Sequence, residues 1–488
     1  MATGSFVKRI QDITRKDAGV NGDAQRIEQM SWMLFLKIYD SREEIWELEQ
    51  DDYESIIPDK LKWRNWAHSK KGEQVLTGDD LLDFVNNELF KGLKELEITP
   101  EMPVRKQIVR SAFEDANNYM KDGILLRQVI NVIDEIDFKD PKDRHLFNDI
   151  YESILKDIQS AGNAGEFYTP RAATEFIAEI LSPKLGERMA DFACGTGGFL
   201  TSTLNILDRQ RKTVEDTNLY NKSVFGIEKK AFPYLLAVTN LLLHGIDDPE
   251  IIHGNSLEKN IRDYESKDKF DIIMMNPPFG GSELEGIKNN FPRDLRSSET
   301  ADLFMSVIMY RLKEDGRAGV ILPDGFLFGT GVKTTIKKKL IEEFNLHTII
   351  RLPHSVFAPY TGIHTNILFF DQTRKTKETW FYRLDMPEGY KNFSKTRPMK
   401  KEHFDPIREW WNNRKEIKDG SFYKSKSFTT KELEELDYNL DQCGFNEEEE
   451  EILEPMELIN KYNKEREALN TKIDSVLSEI ISLLEDKE

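Results

Sequence analysis

The sequence predicts an α/β protein built on a doubly wound, mostly parallel sheet, with a helical domain before it and a helical segment after it. Three observations carry this expectation. From about Ser182, short apolar runs alternate with helix-length segments, the pattern of strands joined by crossover helices. Runs such as Ile272-Ile273-Met274-Met275 are apolar on both faces, as strands covered by helices on both sides must be. The first 150 or so residues lack such runs and instead repeat apolar residues at spacings of three and four.

The elements follow in chain order. Ile27, Met30, Leu34 and Ile38 form one apolar stripe. A second runs through Leu81, Leu82, Val85, Leu89, Leu93 and Leu96, and a third through Leu125, Val129, Val132 and Ile136. The Trp63–His68 stretch, after Pro58, reads as a packed connection between them. Strands are expected at Met189–Ala193, Val224–Ile227, Ile251–His253, Phe270–Met275, Gly319–Leu322, Thr348–Leu352 and Thr365–Phe370. Residues 376–446, rich in Lys, Glu and aromatics, receive no assignment. The acidic run Glu447–Glu451 precedes a heptad-like seam of Leu469, Ile473, Val476, Ile480 and Leu483. The expected domains are therefore 1–150, 151–446 and 447–488, and 488 residues suit two or three of them.

Composition excludes several classes. No apolar run approaches the roughly 20 residues that span a bilayer, so no membrane role is expected. Two cysteines make no disulfide framework, and eight scattered histidines form no metal signature. A reducing cytoplasm and no metal site are the expectations. The net charge of -19 sits poorly with a protein that grips nucleic acid alone, because phosphate binding usually requires a basic face. Either a local patch suffices or another subunit supplies part of the grip.

The chemistry concentrates just beyond the strand ends, where such sheets bind ligands. Asp191-Phe192-Ala193-Cys194-Gly195-Thr196-Gly197-Gly198 follows the first strand and opens a helix. Its spacing departs from the G-x-G-x-x-G phosphate loop, and its acid suits a cationic, phosphate-free ligand. Asp191 would balance a sulfonium or an ammonium. Glu228 closes the second strand, placed to accept two ribose hydroxyls. Asn255, after the third strand, offers a side-chain oxygen to an adenine amino group. Directly after the fourth strand stands Asn276-Pro277-Pro278-Phe279. Two prolines stiffen the backbone and remove two N–H donors. The Asn276 side-chain carbonyl and the Pro277 carbonyl are left to accept from one NH2 group. Drawing on both hydrogens favours a pyramidal nitrogen whose lone pair faces an electrophile, while Phe279 stacks on a planar base.

These elements, in this order, resemble the amino-group methyltransferases of nucleic acids, and more narrowly the modification subunits of type I restriction-modification systems. Gly165-Glu166-Phe167-Tyr168-Thr169-Pro170-Arg171, Ala301-Asp302-Leu303-Phe304, Gly316–Pro323, Arg351-Leu352-Pro353 and Pro359–Ile363 extend the likeness. Phe192, where the family often has proline, and Asn255, where many have aspartate, depart from it. The resemblance implies a Rossmann-like methyltransferase sheet and S-adenosyl-L-methionine as cofactor. It places cofactor contacts at Glu166, Phe167, Tyr168, Thr169, Pro170, Arg171, Asp191, Gly195, Thr196, Gly197, Glu228 and Asn255, with Asn276, Pro277 and Phe279 acting on the base. It further implies adenine N6 in double-stranded DNA as the target. A specificity subunit would be shared by two modification subunits, and a separate restriction subunit would complete the complex. Cytosine N4, a protein glutamine and an RNA base remain alternative acceptors for the same chemistry. Gly280–Thr300, with Arg293 and Arg296, reads as a mobile segment that closes on the DNA backbone.

Overall fold

The computed structural model describes residues 3–68, 75–99, 101–138, 169–358, 361–394 and 396–444, plus individual positions between 456 and 478. Contacts divide the chain into Met1–Gly444 and Phe445–Glu488.

The three apolar stripes form the helices Gly22–Glu49, Gly78–Lys94 (whose middle, Phe84–Leu89, is π-helical) and Gly123–Asp134. Trp63 and Trp66 sit on a short buried helix, with the Trp63 indole donating to Asp134 at 2.9 Å. Helix Gly22–Glu49 packs along helix Ala231–Leu243 of the sheet domain. Trp46 donates to Asp247 at 2.8 Å across that contact, and Asp248 accepts from the Arg105 backbone N–H at 3.1 Å.

Ten strands form one sheet: β1 (Met189–Asp191), β2 (Val224–Glu228), β3 (Ile251–His253), β4 (Phe270–Met275), β5 (Leu312–Pro323), β6 (Asn345–Arg351), β7 (Thr365–Asp371), β8 (Glu378–Arg383), β9 (Ile417–Asp419) and β10 (Phe422–Thr429). Their order is β3-β2-β1-β4-β5-β7-β6-β8-β10-β9. The first five are parallel, β7 runs antiparallel between β5 and β6, and β8 is again parallel to β6. Along β4, Ile272 and Met274 enter the apolar layer shared with the N-terminal helices, while Ile273 and Met275 enter the opposite layer. This is a sheet covered on both faces.

All seven expected strands are present. β5 begins seven residues earlier than its apolar stretch, because Lys313–Arg317 extend the ladder through a polar, partly exposed end. The unassigned 376–446 region supplies β8, β9 and β10, a helix at Asp405–Trp411 and another at Thr430–Glu435. No helix among the described residues is long and apolar enough to cross a membrane.

β1 lies between β2 and β4, so the chain winds one way from β1 through β2 and the other way through β4. The crevice between diverging connections opens there, at the carboxyl ends.

Candidate active site

The turn after β1 is shaped by glycine. Gly195 and Gly197 hold φ of 54° and 81°, left-handed conformations that a side chain disfavours, and Gly197 caps helix Gly198–Asp208. Thr196 is buried beside them, its carbonyl accepting from Asn240 at 3.2 Å. The turn is tied to β2: one Glu228 carboxylate oxygen accepts from the Gly195 N–H and the other from the Lys230 N–H, both at 2.8 Å.

Asp191 is 2% exposed. Burial pushes its carboxyl up to about 8, with the nearby Glu228 charge adding to the effect and the Ala193 N–H opposing it. A cation placed beside it would restore the charged form. Asn255 Oδ1 accepts from the Leu257 N–H at 3.1 Å, an Asx turn that sets the side chain's direction. Ser256 donates to the Phe192 carbonyl at 2.5 Å, clasping the turns after β1 and β3 together. Phe192 itself is buried, with the Arg311 guanidinium 4.2 Å over its ring.

Asn276 is half-buried at the end of β4. Its amide nitrogen donates to Thr169 Oγ1 at 2.9 Å, and its Oδ1 is buried with no hydrogen-bond partner among the described residues. An unpaired buried carbonyl costs about 1–3 kcal/mol, and a ligand N–H would complete it. Pro277 is buried and Pro278 exposed. Phe279 meets buried Phe357 edge-on, at 5.7 Å and 82° between ring planes.

Two adjoining cavities result. The larger, of about 200 Å³, is lined by Glu228, Asn255, Asn276, Pro277 and Phe279 together with Gly195. The smaller, of about 50 Å³, is lined by Thr169, Asp191, Gly195, Thr196 and Asn276. Ala193, Gly195 and Asn276 belong to both walls. Gly197 supports the turn without lining either cavity. Arg171, half-buried at the start of the helix, donates to the Gly198 carbonyl at 3.1 Å and Thr201 Oγ1 at 2.6 Å. Pro170 caps helix Arg171–Leu181, and Glu166, Phe167 and Tyr168 lie outside the described residues.

The larger cavity also takes Lys229, Lys230, Pro233, Glu283, Thr300 and Phe304, none of which the sequence singled out as a site residue. Lys229 and Lys230 were recoverable, because they directly follow the strand-end acid. Phe304 was visible only as part of a family motif. Glu283 was hidden in the segment expected to be mobile, where it pairs with Lys229 at 3.4 Å. The far half of that segment is pinned: Phe291 and Leu295 are buried, and Arg296 donates to the Phe291 carbonyl. Among the described residues no group of three candidate ligands surrounds a metal position.

The family model for N-6 DNA methylases matches residues 142–452, and that for the HsdM N-terminal domain matches residues 3–133. The methylase subunit of the type I restriction enzyme EcoEI, from Escherichia coli, is 55% identical over 415 residues, covering 85% of this chain and 84% of that one. A crystal structure of a type I modification subunit from Vibrio vulnificus is 40% identical with a TM-score of 0.77, over 88% of this chain and 93% of that one. A chain in a structure from work on complex assembly and conformational transition of the type I restriction-modification system is 34% identical with a TM-score of 0.81, over 99% of this chain and 98% of that one. With the N-P-P-F turn, the glycine turn and Glu228 around one crevice, these likenesses agree: the chain belongs to the N-6 DNA methylases, among the methylase subunits of type I restriction enzymes.

Proposed function

We propose that the crevice binds S-adenosyl-L-methionine across the two cavities and presents its methyl group to an adenine flipped out of DNA. Membership of the N-6 DNA methylase family assigns adenine N6 rather than cytosine N4, a protein glutamine or an RNA base. The observation that carries the site reading is the buried Asn276 Oδ1, without a partner among the described residues, on the wall that both cavities share.

In this reading Glu228 holds the ribose hydroxyls, and Asn255 faces the cofactor's adenine. Asp191 and Thr169 flank the methionine end. The bound cofactor supplies an electrophilic methyl group. Asn276 Oδ1 and the Pro277 carbonyl accept from the target amino group, and Phe279 stacks on the ring, worth about 1–3 kcal/mol. Flipping the base costs a few kcal/mol, and in-line transfer needs reacting atoms about 3–3.5 Å apart. Positioning therefore dominates the rate.

The partners in this reading are double-stranded DNA, a specificity subunit shared by two copies of this chain, and a restriction subunit. A shared DNA grip accounts for the charge of -19. The C-terminal unit is the docking element. Its described residues are helical, with Met456, Ile459, Tyr462, Leu469, Ile473 and Leu477 at least half exposed, while Val476, Ile480 and Leu483 lie outside the described residues. Transfer of a labelled methyl group to DNA, with and without the cognate specificity subunit, tests the whole reading. Mass spectrometry should find N6-methyladenine; another methylated base or no transfer in the complex would overturn it.

A further inference from the structure

Beyond β4 the carboxyl edge of the sheet continues through the ends of β5, β6 and β8, and two arginines stand on it. Arg351 and Arg383 end β6 and β8 and face each other in the parallel register. They are 8% and 3% exposed. Both hold the last residues before the C-terminal unit begins. Arg351 pairs with Asp441, and Arg383 donates to the Gly444 carbonyl at 2.6 Å. A side chain at Gly444 would meet the Arg351 guanidinium at 3.5 Å, so the strand end and the chain segment are in close apposition. Arg351 also lies 3.5 Å from Asp324, whose same oxygen accepts from Asn366 at 2.6 Å. The residues that follow Arg351 run directly to the aromatic pair of the site. Leu352 N–H is bonded to the Thr365 carbonyl, and Ser355 takes a left-handed φ of 58° while its hydroxyl accepts from the Phe393 N–H. Phe357 then meets Phe279 in an edge-to-face contact.

We propose that Arg351 is a positioning residue for methyl transfer: clamped by Asp441 and Asp324, it fixes the Leu352–Phe357 turn that backs the stacking ring Phe279. The base-holding half of the site is thereby tied to the segment that leads into the C-terminal unit. This rests on the reading of Phe279 as the ring that stacks on the base.

The test uses the full chain in complex with its specificity subunit. Asp441→Asn removes the charge opposite Arg351, Asp441→Glu retains it, and Asp419→Asn removes a carboxylate from the neighbouring Arg383 instead. Asp441→Asn should leave cofactor affinity by calorimetry unchanged and slow single-turnover methylation roughly tenfold to a hundredfold, the scale of a small misplacement of reacting groups. Asp441→Glu should recover most of the rate. Asp419→Asn should lower the melting temperature comparably without that loss. Equal rate losses in Asp441→Asn and Asp419→Asn, or no rescue by glutamate, would overturn the proposal. Phe279→Ala separates the two ideas. A normal rate in that variant would remove the stacking reading itself, while a slow Phe279→Ala beside a normal Asp441→Asn would remove only the positioning role.

Discussion

Asn276 and Glu228 sit on one crevice, yet their hydrogen bonds give them opposite duties. Asn276 spends its amide N–H on Thr169, and its carbonyl has no partner among the described residues, an acceptor that the proposed function gives to the target amine. Asn276→Ala should slow single-turnover methylation by about a hundredfold or more while cofactor affinity stays near normal. Glu228 braces the glycine turn to which the proposed function assigns the cofactor, so Glu228→Ala should weaken cofactor binding by roughly ten- to a hundredfold, about 1.5–3 kcal/mol. Calorimetry beside single-turnover kinetics separates the two. Asp191 adds a pH signature. Its buried carboxyl holds a proton up to about pH 8, whereas the unfolded chain releases it near 3.8. The folded state thus binds the extra proton between those values, and the stability this confers is present at low pH and lost as pH rises through about 8. A cationic ligand beside Asp191 must displace that proton. Cofactor binding near pH 7 should therefore release close to one proton and tighten as pH approaches about 8. Calorimetry in buffers of different ionisation enthalpy measures the release, and Asp191→Asn should abolish it.

At the scale of elements, the site depends on how closely β5 and helix Arg171–Leu181 approach. Gly319 on β5 has no side chain, and a Cβ there would lie 2.6 Å from Ile177 Cγ2, 3.2 Å from Leu181 and 3.3 Å from Phe369. That helix begins at Arg171, beside Thr169, and so sets the position of the group holding Asn276. Gly319→Ala should cost about 1–3 kcal/mol through overpacking, read as a lowered denaturation midpoint. It should also slow methylation more than it weakens cofactor binding, because the displaced helix carries Thr169 away from Asn276.

Over the whole molecule, the boundary of the first unit at Gly444 leaves the sheet, both cavities and the arginine clamp N-terminal to the last unit. Truncation after Glu451 should leave a folded protein with normal cofactor affinity that no longer assembles with its specificity subunit and no longer methylates its target sequence. Co-purification of the shortened chain in stoichiometric amounts would remove the docking role. Failure to fold would show that the segment serves its own chain.

The seven expected strands were legible from short apolar stretches, such as Ile272-Ile273-Met274-Met275 in β4 and Ile367-Leu368-Phe369-Phe370 in β7, because a strand covered on both faces needs apolar residues at successive positions. The order of motifs was legible for the same reason: a parallel sheet places successive strand ends on one edge, so Asp191, Glu228, Asn255 and Asn276 had to converge. β10, reading Phe-Tyr-Lys-Ser-Lys-Ser-Phe-Thr, was not legible, since it pairs antiparallel at the margin of the sheet and carries polar residues throughout. Nor could spacing show that Arg351 meets Asp441, ninety residues away, or that Phe357 backs Phe279. Local periodicity and strand-end chemistry are properties of short stretches and are written in the sequence itself. Which buried charge finds which partner depends on the strand order beyond β5, where β7 inserts antiparallel and β8 to β10 extend the edge, and only the tertiary structure decided that.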